Sequence, residues 1–124
     1  MADKRREAIV PTRFDDDEIA ADLTHLPSDA ASALSALRHC TDRNRGLPYS
    51  HLKACQAKGR DDTRLAGCVK TYVPWPDGRY GLVLTAVEHP VRPWGLRVIA
   101  YGVRHSTGHR QLSVYQVAHK RLHG

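Results

Sequence analysis

A chain of 124 residues suits one compact domain with a real core, and a hydrophobic fraction of 41% supports a globular fold. No run approaches the roughly 18 apolar residues that a membrane span needs. The start MADKRREAIV is charged with no apolar stretch after it, so secretion is not signalled and a cytoplasmic protein is expected. The net charge of +6 is unevenly held: residues 1–39 carry five Lys/Arg against eight Asp/Glu, whereas residues 40–124 carry fourteen against five. A basic body of this kind favours phosphates or an acidic protein partner. Cys40, Cys55 and Cys68 are odd in number and lack CxxC spacing, which speaks against a disulfide framework.

Arg5 to Val10 reads as a short first strand closed by Pro11. From Asp15 the period becomes helical: Ile19, Leu23 and Leu26 recur on one face, acids crowd the first turn, and Asp15 with Glu18 resembles a capping pair. The acids of such a run point around a helix rather than converging on a metal. Ser28 is the expected N-cap of a second helix, with Ala30, Ala33, Leu34, Leu37 and Cys40 on its apolar face, ended by the stop signals Gly46 and Pro48. The segment His51 to Lys58 fits a helical turn or an extended stretch, and Gly59 to Asp62 is turn-like.

From Arg64 to Val73 the period shortens to two, placing Arg64, Lys70 and Tyr72 on one strand face. PWPDG at Pro74 to Gly78 is the strongest turn signal, and Tyr80 to Glu88 reads as the returning strand. His89 to Gly95 is a loop; Trp94 there and Trp75 in the turn suit capping of the sheet ends better than stacking on bases. Leu96 to His105 follows as a central strand, then a basic loop and an amphipathic helix from Leu112 to Leu122. His119 and His123 have the i, i+4 spacing of zinc ligands without supporting context, so no metal is expected. The expected fold is a single α+β domain: a four-stranded, mainly antiparallel sheet, two N-terminal helices on one face, and a short C-terminal helix, with the other face partly open.

The C-terminal third carries a resemblance. Gly102 and Arg104 close an apolar strand, and Val114, Tyr115, Ala118, Lys120 and Arg121 follow on a helix, a pattern similar to that of the RelE/ParE toxin superfamily. Leu52 and Lys53 look like the leucine and basic residue before that family's second strand. The resemblance implies the toxin of a toxin–antitoxin pair, held by a cognate antitoxin protein and cleaving mRNA in the ribosomal A site without a metal or cofactor. A ParE-like toxin acting on DNA gyrase, or an inactive RNA- or ribosome-binding module, are the alternatives. The sequence departs from the pattern in its longer loop between Arg104 and Tyr115 and in Arg79, which precedes the third strand instead of lying within it.

Cleavage of this type sends the ribose 2′-OH onto the adjacent phosphorus. It needs a base for the hydroxyl, cations for the phosphate and an acid for the leaving 5′-oxygen. Arginine supplies only charge. Arg104 is the first candidate for that role, with Arg79 second; the proton acceptor comes from Tyr115, Lys70, or His105 or His109 in the loop. Lys53, Arg64, Tyr72, His105, Lys120 and Arg121 are the expected RNA-binding set.

Overall fold

A computed structural model describes residues 8–59, 63–87, 95–105 and 111–124. The expectations for residues 5–7, for the turn at 60–62, for the loop at 88–94 with Trp94, and for His109 lie outside them. The described elements are, in order, β1 (Ile9–Val10), β2 (Thr12–Arg13), α1 (Asp16–Leu23), α2 (Ser28–Asn44), β3 (Leu47–Pro48), a 3-10 turn at Tyr49–His51, β4 (Lys53–Ala54), β5 (Cys68–Val73), β6 (Tyr80–Val87), β7 (Gly95–Val103) and α3 (Val114–His123).

The class is α+β, but the sheet has five strands instead of the expected four, ordered β2-β7-β6-β5-β4, and β1 pairs with β3 in a separate two-stranded sheet. β2 runs parallel to β7, while the other neighbours in the large sheet are antiparallel. The element order also departs from the expected one, because two-residue strands interrupt it before α1 and between α2 and β5. A strand of two residues has no room for the alternation by which strands are read from sequence.

Asp15 caps α1 with its carboxylate, which accepts from the backbone N–H groups of Asp17 and Glu18. Ser28 does not cap α2. Helical geometry already begins there, Pro27 holds the cap position with no side-chain hydrogen bond, and Cys40 is exposed instead of lying on the buried face. At the far end Arg45 adopts a left-handed φ of 65°, and both it and Gly46 return their N–H groups to the Thr41 carbonyl.

One face of the sheet packs against α1 and α2 through Val73, Tyr80, Leu82, Leu84, Val98 and Tyr101. The Tyr80 hydroxyl donates to Asp29 at 2.7 Å and the Tyr101 hydroxyl to the Ala30 carbonyl at 2.8 Å. Two phenols thus fix the first turn of α2 to the sheet while satisfying their own buried polar tips. The opposite face is only partly covered, by α3, whose Val114 and Ala118 pack on Val83, Ile99 and Ala100. Successive residues Ile99 and Ala100 share that face because β7 shifts register against β6 between Val83 and Leu84. The shift sets the parity of the strand's last residues, so Tyr101 faces α1 and α2 while Gly102 lies against Val114.

β2 covers β7 only at Leu96 and Arg97. Farther along this edge Asp22 accepts from the Tyr101 N–H at 2.9 Å, and Arg121 donates to the Ile99 carbonyl at 2.7 Å. The two side chains also pair with each other, Arg121 Nη2 to Asp22 Oδ1 at 2.7 Å, so a helix from each face meets around the strand edge. Among the described residues no helix is long and apolar enough to cross a membrane.

Candidate functional site

The uncovered part of the second face lies over β4 and β5. Lys53 pairs with Lys70 across β4 and β5, which puts both on one face, and alternation along β5 adds Tyr72 to it. Arg104 arrives from the end of β7, where its N–H continues the ladder to the Arg79 carbonyl at 3.2 Å. Tyr115 comes from the first turn of α3, whose start is fixed by a reciprocal cap between Ser113 and Gln116. Lys70, Tyr72, Arg104 and Tyr115 line a cleft of about 290 Å³, completed by Cys55, Gln56, Gly59, Thr63, Leu65, His105 and Ser113. None of its described lining residues is a carboxylate.

Arg104 lies with its guanidinium 3.6 Å from the centroid of the Tyr72 ring, and its Nη1 donates to the Gly78 carbonyl at 3.0 Å. Its Nε is buried without a hydrogen-bond partner. A stacked guanidinium is held in orientation but keeps donor capacity for a planar anion or a phosphate. Lys70 Nζ sits 5.1 Å from the Tyr115 ring and 5.8 Å from the Tyr72 ring, between the two aromatic walls. Lys53 Nζ lies 5.0 Å from the Tyr72 ring.

Burial pushes the Tyr115 phenol up to about 12; Tyr72 and Cys55 add to the rise, and the charge and hydrogen bond of Arg104 oppose it. The hydroxyl is therefore a protonated donor at neutral pH and not a base. The Cys55 thiol is likewise pushed up, to about 11, by burial first and Cys68 second, with Lys70 acting against them. A thiol in that state is a poor nucleophile.

Lys70, Tyr72, Arg104, His105 and Tyr115 are thus brought together, with Lys53 at the rim. Four other expected residues are not. Arg79 is 75% exposed, lies 3.7 Å from Asp29 of α2 and packs over Tyr80, so it belongs to the helical side of the sheet. Arg64 precedes β5 instead of forming part of it, because a left-handed Gly67 turns the chain first. Its backbone N–H donates to His119 Nδ1 and its carbonyl meets His123 Nε2, each at 2.9 Å. The two histidines thereby pin a loop, and no group of three metal-binding side chains occurs among the described residues. Arg121 is committed to Asp22, Glu18 and the Ile99 carbonyl, and Lys120 is an exposed residue of α3 outside the cleft lining.

Cys55, Ser113 and His51 were not legible as site residues, and Trp75 reads from sequence as a cap of the sheet end in preference to a stacking ring. His51 stacks on Trp75 with centroids 4.5 Å apart and an interplanar angle of 12°, and Trp75 lies near-parallel to Tyr72 at 6.1 Å. The signal would have been the pairing of Lys53 with Lys70, which carries β4 and the preceding turn to the cleft. No protein-family model matches the sequence, and no curated protein or solved structure matches it.

Proposed function

We propose that the cleft binds the backbone of RNA and cleaves it without a metal, as the toxin of a toxin–antitoxin pair acting on mRNA at the ribosome. The observation that carries this reading is the convergence of Lys70, Arg104 and Tyr115, from the middle of β5, the end of β7 and the first turn of α3, in a cleft whose described lining has no carboxylate. Cations without acidic neighbours attract a phosphodiester. Arg104 and Lys70 bear on the non-bridging oxygens and stabilise the charge of the pentacoordinate phosphorus, a contribution worth roughly 10²- to 10³-fold in rate by analogy with other oxyanion donors. The Tyr115 hydroxyl, held protonated, donates a hydrogen bond to the same group. His105 at the lip is the imidazole that takes the 2′-OH proton; the O2′–P bond forms as the P–O5′ bond breaks, and the leaving 5′-oxygen takes a proton from solvent water, giving a 2′,3′-cyclic phosphate and a 5′-OH.

A second reading follows from Arg79. With that arginine beside Asp29 on the helical side of the sheet and outside the cleft lining, the same surface serves a protein that binds its target without cutting it, as a gyrase-directed toxin or a ribosome-binding module does. Controlled expression in bacteria separates the two. Cleavage predicts growth arrest with broken translating mRNA for wild type, and a loss of about 100-fold or more in cleavage for Arg104→Ala. Growth arrest with intact mRNA supports the second reading, and a harmless wild type removes the toxin assignment.

A further inference from the structure

The turn from Pro74 to Gly78 meets Arg104 in two ways. At its end, the Gly78 carbonyl accepts from Arg104 Nη1 at 3.0 Å. That carbonyl is held in place, because the Gly78 N–H closes the turn onto the Pro74 carbonyl at 2.7 Å and a Cβ at Gly78 would overlap the Val73 carbonyl. Near its start, Trp75 lies near-parallel to Tyr72 with centroids 6.1 Å apart, and Tyr72 carries the Arg104 guanidinium 3.6 Å from its ring centroid. His51, from the 3-10 turn before β4, stacks on Trp75 at 4.5 Å. The turn thus bears on the guanidinium directly through a hydrogen bond and on its face through Tyr72.

Core packing does not account for this stack. Tyr72 and Trp75 belong to neither apolar cluster, and Trp75 and His51 lie outside the cleft lining as well. All three rings are half-buried, and because they cover one another they form a support and not a binding face. What the stack and the turn have in common is Arg104, a long side chain whose Nε is buried with no hydrogen-bond partner. A cation that stabilises developing charge has to be aimed before the charge appears, since reorienting it during the reaction gives back part of what it contributes.

We propose that Trp75 is a positioning residue for Arg104: through Tyr72 it fixes the plane of the guanidinium, while the Gly78 carbonyl of the same turn fixes the rotation within that plane. The consequence for rate rests on the phosphate-binding reading of the cleft; the support of Arg104 does not. Trp75 acts through Tyr72 and not on substrate.

Two measurements test it. The first reads Arg104 without RNA, in a proton–nitrogen NMR spectrum of the arginine side chains. The Nε–H signal that disappears in Arg104→Ala is expected to stand upfield of exposed arginines, because the guanidinium lies over the Tyr72 ring. Trp75→Leu, which keeps apolar bulk and loses the ring, is expected to return that signal to the position of exposed arginines, and Trp75→Phe to leave it displaced. The second reads cleavage of mRNA on programmed ribosomes. Trp75→Leu is expected to lower kcat by about 10- to 100-fold with KM near the wild-type value, as loss of aim does, and Trp75→Phe to recover most of the rate. On the Arg104→Ala background Trp75→Leu is expected to cost nothing further, because a positioning residue has no effect without the group it positions. An Arg104 signal unmoved in Trp75→Leu overturns the proposal, and so does a rate loss that persists in full on the Arg104→Ala background. If wild type cleaves no RNA, the cleavage reading falls and the Arg104 signal alone decides whether Trp75 positions it.

Discussion

Cys55 and Tyr115 illustrate how burial decides what a reactive side chain can do. Both line the cleft beside a cation that favours the ionised form, Lys70 for Cys55 and Arg104 for Tyr115, yet for both burial outweighs it. The fold therefore favours the neutral thiol and the neutral phenol. For Cys55, raised from its usual 9.0 to about 11, the associated stabilisation is complete below pH 9 and is lost as pH rises through 11. Iodoacetamide at pH 8 is accordingly expected to label the exposed Cys40 while Cys55 and the buried Cys68 stay largely unmodified, with Cys55 joining only as the pH nears 11. Peptide mass spectrometry of the alkylated chain reads this out. Equal labelling of Cys55 and Cys40 at pH 8 would show that the cleft wall is open to solvent.

At the scale of elements, β7 is the member on which both layers depend, and its edge is closed by side chains where β2 stops. Arg121 and Asp22 are 23% and 7% exposed, so truncating one leaves a mostly buried charge without its partner, at a cost of about 3–5 kcal/mol. Arg121→Ala is expected to lower the free energy of unfolding by about that amount in urea denaturation, whereas Lys120→Ala, one position away and exposed, stays within about 0.5 kcal/mol of wild type. Equal stabilities for the two variants would remove the edge clamp. The clamp also explains why Arg121 reads from sequence as an RNA contact: a basic residue on a terminal helix carries no mark of the carboxylate 99 positions earlier that it meets. The long elements, α2 and β5 to β7, were legible because each repeats its apolar pattern several times. β2 and β4 were not, and β4 is what carries Lys53, with His51 just before it, to Lys70. Arg104, Tyr115 and Lys70 were legible as candidates, but their meeting depends on the register shift in β7 that sets the face on which the strand's end emerges.

Across the whole molecule, the division into an acidic front and a basic body becomes a division of labour among ion pairs. Four acids of α1 and α2 are spent on arginines: Asp16 on Arg38, Glu18 on Arg97 and Arg121, Asp22 on Arg121 and Asp29 on Arg79. Those pairs lie with the helices, so the excess positive charge is left to the other side, where Lys53, Lys70 and Arg104 have aromatic neighbours. The net charge of +6 therefore understates the field at the cleft and says little about how many phosphates are neutralised. On the proposed RNA-binding reading, Lys70 and Arg104 in the cleft and Lys53 at its rim set that number. Single-stranded nucleic acid releases about 0.7 counterion per phosphate neutralised, so log K for an RNA hexamer is expected to fall with log of the salt concentration at a slope of about −2. Arg104→Ala is expected to make the slope shallower by about 0.7, and Arg79→Ala, already paired with Asp29, to leave it unchanged. Anisotropy titrations between 50 and 200 mM salt, roughly the span over which such slopes are resolved, measure both. A slope near zero would mean that RNA is not held through its phosphates, and a shallower slope for Arg79→Ala than for Arg104→Ala would move the electrostatic site to the helical side of the sheet.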